Sequence, residues 1–370
     1  MKLKKVILAV GAVFLVLVML ARSGAVDTRQ IDEVRGKEVL DNEDLQIIDQ
    51  FLGAAVQELV STRDFAEVAK LRTVVLSKQS SQAQYAQQFS QSALKHISAG
   101  FEQAMQLPEE RRFKVVLNLL ILVDSLQDPR LTDLGLGMLK HSNKVIRYWA
   151  VRCVTNLGLV EKLNPAGAAN AQLAERIVEQ LSPLVDTASP EVLALMAEFA
   201  AAVKIPQGED LLSRIADARM KKYGDWTVEY ELLDGLLLKL LSNRLIETGS
   251  PRPAVASRFA QLYSFAMQRY IKGQNVLGEA NKHYLASLLV DIEYNCLRRL
   301  LGRAQSTIKE AVEQGDYSAL LQEHNNLFGD GTRQGELAAK LRFDYGANPD
   351  GSRRAAPLAL PDPPPNKKSE

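Results

Sequence analysis

The chain has 370 residues, with 45 basic and 44 acidic side chains, and 6% of its residues are aromatic. This balance of charge gives no electrostatic reason to expect nucleic acid, or an anionic membrane surface, as the main partner. Ala, Leu, Gln, Glu, Lys and Arg dominate, and no alternating Val/Thr/Tyr-rich run is bounded by turn residues. The composition therefore predicts an all-α protein.

Residues 1–25 have the layout of a secretory signal peptide. Three lysines precede 16 consecutive apolar residues, 6–21, and Ser23 and Ala25 then place small side chains before a possible cleavage point. An uncleaved anchor is the alternative. As a helix, residues 6–21 would span about 24 Å, which is slightly short of a hydrocarbon core of about 30 Å, and Leu3 with local thinning of the bilayer would make up the difference. Residues 6–21 would then tether the protein to the inner membrane. Either way, the rest of the chain is expected to be periplasmic or extracellular.

Residues 26–107 are predicted to form an N-terminal helical region. The sequence DNED at 41–44 starts a run whose apolar positions recur every three or four residues, and a second helix is predicted over about 65–76. The Gln- and Ser-rich stretch 77–101 is compatible with either a polar helix or a mobile connection.

Residues 108–328 contain amphipathic stretches of 12 to 23 residues joined by Gly, Pro, Asn, Asp or Ser turns. This rhythm predicts antiparallel helix pairs, followed by long helices over about 253–272 and 278–302. Residues 329–370 include five prolines after residue 355 and almost nothing that could form a core. They predict a disordered, Pro-rich tail.

The stretch 143–157 follows the spacing of the second helix of a HEAT repeat, and residues 128–141 resemble the first helix of such a pair. The same steps recur in 189–203, where Val192 lies 46 residues after Ile146, inside the range of about 40 to 47 for HEAT and armadillo units. The matching positions of the first copy are Asn143, Ile146, Arg147, Ala150, Val154 and Leu157.

Residues 108–328 thus form a region that resembles HEAT-like (armadillo-type) helical-repeat proteins. The match is good over about 128–203, although Leu193 and Met196 stand where the family has Arg and Ala, and elsewhere only the rhythm of helix pairs matches. The resemblance implies an α-solenoid of antiparallel helix pairs. An irregular helical bundle is the alternative fold.

The resemblance also implies that the second helices line a concave face. A helical wheel with Ile146 inward turns Tyr148, Arg152 and Thr155 outward, so these three residues are candidates for binding a protein or peptide partner, because Tyr and Arg frequently dominate binding energy. Glu198 occupies a matching position in the next repeat. The alternative is that Tyr148 and Arg152 only stack on each other.

Two residues of this stretch are predicted to be structural. Trp149 lies beside the buried stripe and is expected to help close the core. Arg147 lies at the edge of the stripe, and the resemblance implies a bond to an acidic residue of an adjacent repeat. Cys153 and Cys296 each fall on an apolar stripe and are predicted to be buried thiols, with a disulfide as the alternative in an oxidising compartment.

Motifs for catalysis, metals or cofactors are missing from the sequence. It contains no HExxH, CxxC, GxSxG or Gly-rich phosphate loop, so no catalytic, metal-binding or cofactor-binding residue is predicted. The leading hypothesis is a non-enzymatic scaffold or adaptor of the cell envelope. A membrane-anchored structural or assembly subunit is the second, and a polysaccharide-acting enzyme with a helical toroid is the third.

Overall fold

A computed structural model describes residues 28–164, 167–247, 252–348 and 350–364. The proposed signal or anchor, residues 1–25 with the apolar stretch 6–21, lies outside these ranges. The described part of the chain is all-α, as its composition predicts, and contains isolated β-bridges but no β-strand. No helix within these ranges combines the length and the apolar character needed to cross a bilayer.

The chain divides into two compact units, Met1–Cys153 and Val154–Glu370. The helices that begin in the first unit are α1 (Arg29–Val34), α2 (Asn42–Ser61), α3 (Phe65–Ser77), α4 (Ala83–Met105), α5 (Glu109–Leu126), α6 (Thr132–Leu136) and α7 (Lys144–Thr155), which ends just past the boundary. In this unit α2 packs mainly against α4, and α5 packs against α2, α3 and α4.

Local sequence explains where the first helices begin and which sides they bury. Asp41 caps α2 by accepting hydrogen bonds from the backbone amides of Glu43 and Asp44, as the DNED sequence predicts. The stretch 77–101, whose sequence is compatible with a polar helix or a mobile connection, lies largely within α4. The buried side of that helix repeats at four-residue steps, which gives the Gln-rich sequence an apolar face: Tyr85, Phe89, Ala93 and Ile97.

The predicted first helix of the HEAT-like pair, residues 128–141, is wrong as a continuous helix. The structure has a 3₁₀ turn, Pro129–Leu131, followed by the five-residue α6. Gly135 and Gly137 explain the shortening, because glycine costs up to about 1 kcal/mol relative to alanine inside a helix, and Gly137 is the residue at which α6 ends.

The helices of the second unit are α8 (Leu157–Leu163), α9 (Ala168–Leu181), α10 (Pro190–Ala202), α11 (Pro206–Gly224), α12 (Leu232–Glu247), α13 (Pro253–Lys272), α14 (Glu279–Ile292), α15 (Arg298–Leu301), α16 (Thr307–Gln314), α17 (Tyr317–Phe328) and α18 (Glu336–Leu341). A π-helical turn, Glu293–Leu297, joins α14 to α15. Each helix from α8 to α12 packs against the helix two places further along, and consecutive helices from α10 to α14 pack against each other.

Helix α13 lies at the centre of this unit and has the predicted bounds. It packs against α11, α12, α14, α17 and α18, and every residue from Phe259 to Tyr270 is buried.

The predicted disordered tail, residues 329–370, is wrong for the part that the structure describes, which runs to residue 364. These residues include α18 and a chain that returns to α13. Few apolar side chains are needed, because the segment docks on a core that the other helices have already built. The buried ones are Leu337, Ala338, Phe343, Tyr345 and Leu360.

Candidate functional site

The predicted binding residues of α7 form a local cluster in the first unit. The Nε atom of Arg152 donates to the carboxylate of buried Asp124 at 3.0 Å, and its guanidinium lies 5.1 Å from the ring centroid of Trp149. Tyr148 packs edge-on against the same indole, with the ring centroids 5.9 Å apart. Hydrogen bonds to Asp124 and Tyr148 raise the pKa of Arg152, so its charge already has partners within the chain.

Three predictions for this stretch need correction: the outward orientation of Thr155, the burial of Leu157 and the acidic partner of Arg147. Thr155 is only 3% exposed, so it does not face outward. Leu157 is 51% exposed, because α7 ends at Thr155 and a helical wheel does not apply beyond that residue. Arg147 contacts no acidic neighbour in the described structure; it donates to the backbone carbonyls of His141 and Ser142, at 2.8 and 3.0 Å. These carbonyls precede α7 and need donors. Trp149 is half-buried.

Glu198 belongs to the second unit and is half-buried on α10. The apolar stripe predicted around it is confirmed, since its members are all buried: Val192, Met196, Ala200 and Val203.

The two cysteines are free, buried thiols, as the sequence predicts. Burial raises the pKa of both, and the Cys153 thiol donates to the Leu120 carbonyl at 3.1 Å. Within the described residues, no group of three or more His, Cys, Asp or Glu side chains could hold a metal ion.

The most extended set of polar contacts in the second unit lies along one face of α13. Gln261, Ser264, Gln268 and Lys272 follow one another at steps of three, four and four residues, which places them in a single row on the helix. The first three are buried. Such a row needs hydrogen-bond partners, because an unpaired buried amide costs about 1–3 kcal/mol.

The hydrogen-bond partners of Gln261, Gln268 and Lys272 come from residues 357–362, here called the tail segment. Gln261 pairs with both main-chain groups of Leu358: its Nε2 donates to the carbonyl at 3.2 Å, and its Oε1 accepts from the amide at 2.8 Å. Gln268 bridges two residues, donating to the Leu358 carbonyl at 3.2 Å and accepting from the Leu360 amide at 2.6 Å.

Two further side chains hold the end of the tail segment. Lys272 Nζ donates to the Leu360 carbonyl at 2.6 Å and pairs with Asp362 at 2.9 Å. The indole N–H of Trp226 donates to the Pro361 carbonyl at 3.0 Å. We call the surface formed by Gln261, Gln268, Lys272 and Trp226 the α13 groove.

Trp226 belongs to a loop, residues 225–231, whose backbone carbonyls accept hydrogen bonds from two buried arginines. Arg219 donates to the Glu229 carbonyl at 3.0 Å, and Arg269 donates to the Val228 carbonyl at 3.2 Å. The Arg269 guanidinium also lies 5.3 Å from the ring centroid of Trp226.

Arg219 is held by a fully buried ion pair. Its Nε lies 2.7 Å from Asp234, and both side chains are 0% exposed. Burial by itself lowers the pKa of Arg219, but the bond to Asp234 outweighs this effect and leaves the pKa above its ordinary value. Tyr223 donates to the same carboxylate at 2.8 Å.

Behind the groove, a hydrogen-bonded chain leads to a buried histidine. Gln268 also donates to Ser264 Oγ at 2.9 Å, and this hydroxyl lies 2.8 Å from His324 Nε2. The other ring nitrogen lies 3.2 Å from the amide oxygen of Asn325. Burial lowers the pKa of His324. A neutral ring that donates from Nδ1 and accepts at Nε2 satisfies every member of this chain.

Sequence reasoning missed the α13 groove, although two signals were present. One was the row of polar residues at helical spacing on an otherwise apolar helix. The other was the alternation of Leu358 and Leu360 between prolines in the tail segment, which is typical of an extended chain with one buried side.

No family model and no curated protein matches this sequence. A crystal structure of an engineered protein from a structural genomics consortium is 12% identical, covering 88% of this chain and 96% of that chain, with a TM-score of 0.20. This likeness is too low to support any argument about fold or function.

Proposed function

We propose that the protein is an extracytoplasmic helical-repeat scaffold or adaptor, which binds another protein in the cell envelope and carries out no catalysis of its own. The envelope location rests on the lysine-led apolar stretch within residues 1–25. The repeat architecture is supported by α8 to α14 of the second unit, where each helix from α8 to α12 packs against the helix two places further along, as stacked repeats do.

One observation carries the binding role: the α13 groove already holds an extended peptide, which is the chain's own tail segment. Two glutamine amides and a lysine pair with the main-chain groups of Leu358 and Leu360. Helical-repeat surfaces that bind extended segments through the main chain give affinity with little dependence on side chains, as strand-addition sites do.

The proposal can be tested by site-specific photo-crosslinking in cells. A photoreactive residue placed at Tyr230, which is exposed on the loop beside the groove, is expected to form a discrete adduct with an envelope protein. The matched control is Tyr284, an exposed tyrosine on α14 of the same unit. The Tyr230 adduct should disappear when Lys272→Glu is added. Equal adducts at both tyrosines, or an adduct that survives Lys272→Glu, would contradict the proposal.

Tyr148 remains a second proposed contact. Replacing Arg152 would remove its ion pair with the buried carboxylate of Asp124 and disturb the packing there, so loss of binding in such a variant would not identify a contact surface. Tyr148→Ala alone is the cleaner test. We expect it to weaken partner capture while the helical circular dichroism is unchanged; unchanged capture would remove Tyr148 from the binding surface.

A membrane-anchored structural or assembly subunit is the alternative, because residues 6–21, if they are not cleaved, can serve as an anchor with Leu3 and local thinning of the bilayer making up the missing length. The intact mass of protein recovered from cells separates the two. A mature start near Val26 in the soluble fraction supports the secreted scaffold, and an intact start in the membrane fraction supports the anchored subunit.

A further inference from the structure

We infer that the tail segment is a displaceable ligand of the α13 groove, and that the groove also accepts an extended, proline-flanked segment of a partner, with a leucine at the position of Leu360 and an acidic residue at that of Asp362. This inference deepens the proposed function and rests on it.

The first step is that the groove binds main chain rather than a particular sequence. Leu358 and Leu360 each turn both their N–H and C=O groups toward α13, as alternate residues of an extended chain do along one edge. No contact of this kind involves the amide of Ala359. Any segment that adopts the same extended form can make the same contacts through these four main-chain groups.

The second step concerns the features that would select a segment. Leu360 is 1% exposed and Leu358 is 51% exposed, so only one of the two leucines fills a buried position. Asp362 adds an ion pair with Lys272. Prolines occupy positions 357 and 361, where no main-chain N–H is used, and they favour the extended form before binding.

The third step is that the tail segment is held lightly enough to exchange. Among residues 357–362, all of which the structure describes, Leu360 is the only buried side chain. The remaining contacts are hydrogen bonds and one ion pair, whose Asp362 partner is 90% exposed. Water or another main chain can replace such bonds at little net cost.

The groove also contains stored backbone strain. Trp226 and Tyr230 both have a backbone φ of 57°. Residues other than glycine rarely adopt this left-handed conformation, and those that do cluster at ligand-binding sites. The strained Trp226 is the residue that donates to the Pro361 carbonyl. This coincidence of strain and peptide contact points to a binding role beyond covering the core.

The test uses a fluorescein-labelled peptide of residues 356–364 and fluorescence polarisation. A chain ending at Ala356 is expected to bind this peptide at least about tenfold more tightly than the full chain, because the covalent tail competes at an effective concentration in the millimolar range. If the shortened chain does not fold, full-length Leu360→Asp, which disfavours burial of the tail segment, takes its place.

Two matched pairs of peptides make the result specific. N-methylation of the Leu360 amide removes the donor that Gln268 uses and should abolish binding, whereas N-methylation of the Ala359 amide should preserve it. Leu360→Asp in the peptide should also abolish binding. The inference is overturned if neither chain binds the peptide, or if both N-methylated peptides bind equally well.

Failure of this inference and failure of the proposed function can be told apart. A peptide that binds the purified chain without any groove-specific adduct in cells leaves the groove in place and removes the adaptor role. An adduct at Tyr230 without peptide binding retains the adaptor role and overturns the inference about the tail segment.

Discussion

At the scale of single residues, the second unit depends most on the buried pair of Arg219 and Asp234. Replacing Asp234 by Asn leaves the Arg219 guanidinium in the core without the carboxylate to which it is directly hydrogen-bonded. We expect the free energy of unfolding to fall by about 3–5 kcal/mol, measured by urea titration followed by circular dichroism. The loop that carries Trp226 should loosen as well, since Arg219 binds its carbonyls.

The matched control for this change lies on α11, the helix that carries Arg219. Asp217 pairs with Arg258 at 3.0 Å, but its side chain is 49% exposed, so Asp217→Asn should cost less than about 1 kcal/mol. Equal losses for the two variants would mean that burial of the Arg219 pair carries no special cost.

His324 gives the second unit a dependence on pH. Its pKa is lowered by burial, whereas in the unfolded chain it returns to about 6.5. As the pH falls below about 6.5, the unfolded state binds the proton first, so the free energy of unfolding decreases until the pH reaches the lowered, folded-state pKa. Above about 6.5 this contribution is fully present.

This dependence is measured by urea titrations at pH 7.5 and pH 5.5. His324→Gln should reduce the difference between the two, and His283→Gln, which changes an exposed histidine of the same unit, should leave it as in the unaltered chain. A His324→Gln protein with the full difference would show that another group is responsible.

At the scale of elements, α16 receives its N-terminal cap from a distant part of the chain. The carboxylate of Glu293, in the π-helical turn, accepts from the backbone amides of Ile308 and Lys309, both at 2.8 Å. Glu293→Gln removes the charge that complements the helix dipole, and we expect a loss of about 1–2 kcal/mol.

Hydrogen exchange measured residue by residue is the appropriate readout for this cap. The amides of Ile308 and Lys309 should exchange faster in Glu293→Gln. Glu310→Gln removes an exposed charge from the first turn of the same helix and should leave those two amides nearly unchanged. Similar acceleration in both variants would mean that only the net charge near α16 matters.

Most helices could be predicted because their apolar periodicity is local information. The bounds of α13 match the sequence pattern, and α2 begins at its predicted cap. The failures have physical causes that lie beyond periodicity: glycines shorten α6, and the end of α7 at Thr155 invalidates a wheel extended to Leu157. The folded-back tail depends on contacts with α13, about 90 residues away in sequence, which local periodicity does not contain.

At the scale of the whole molecule, alkylation of the two cysteines measures both whether the chain is folded and whether the thiols are free. Cys153 and Cys296 are buried and free, and a raised pKa keeps both as poorly nucleophilic thiols. We expect iodoacetamide to add nothing to the folded protein and two groups to protein unfolded without reductant, as measured by intact mass. No addition after unfolding would indicate a disulfide.

The candidate site could be predicted only in part, because it joins segments that no single pattern connects. Tyr148 and Arg152 lie on α7, and Arg152 contacts Trp149 and Asp124 of the same chain; whether either residue binds a partner stays a prediction. The groove needed two distant signals, the polar row of α13 and the alternation around Leu360, to be recognised as complementary. That pairing is tertiary information.

The contact between Trp226 and the Pro361 carbonyl gives the molecule an optical reporter of its own. The chain has two tryptophans, Trp149 and Trp226, so Trp149→Phe leaves a single indole, positioned on the loop that touches the tail segment. Departure of the tail breaks a hydrogen bond to that indole and changes its solvation. The emission maximum and lifetime of the Trp226 fluorescence would then report in real time when a partner segment replaces the tail segment, without any attached dye.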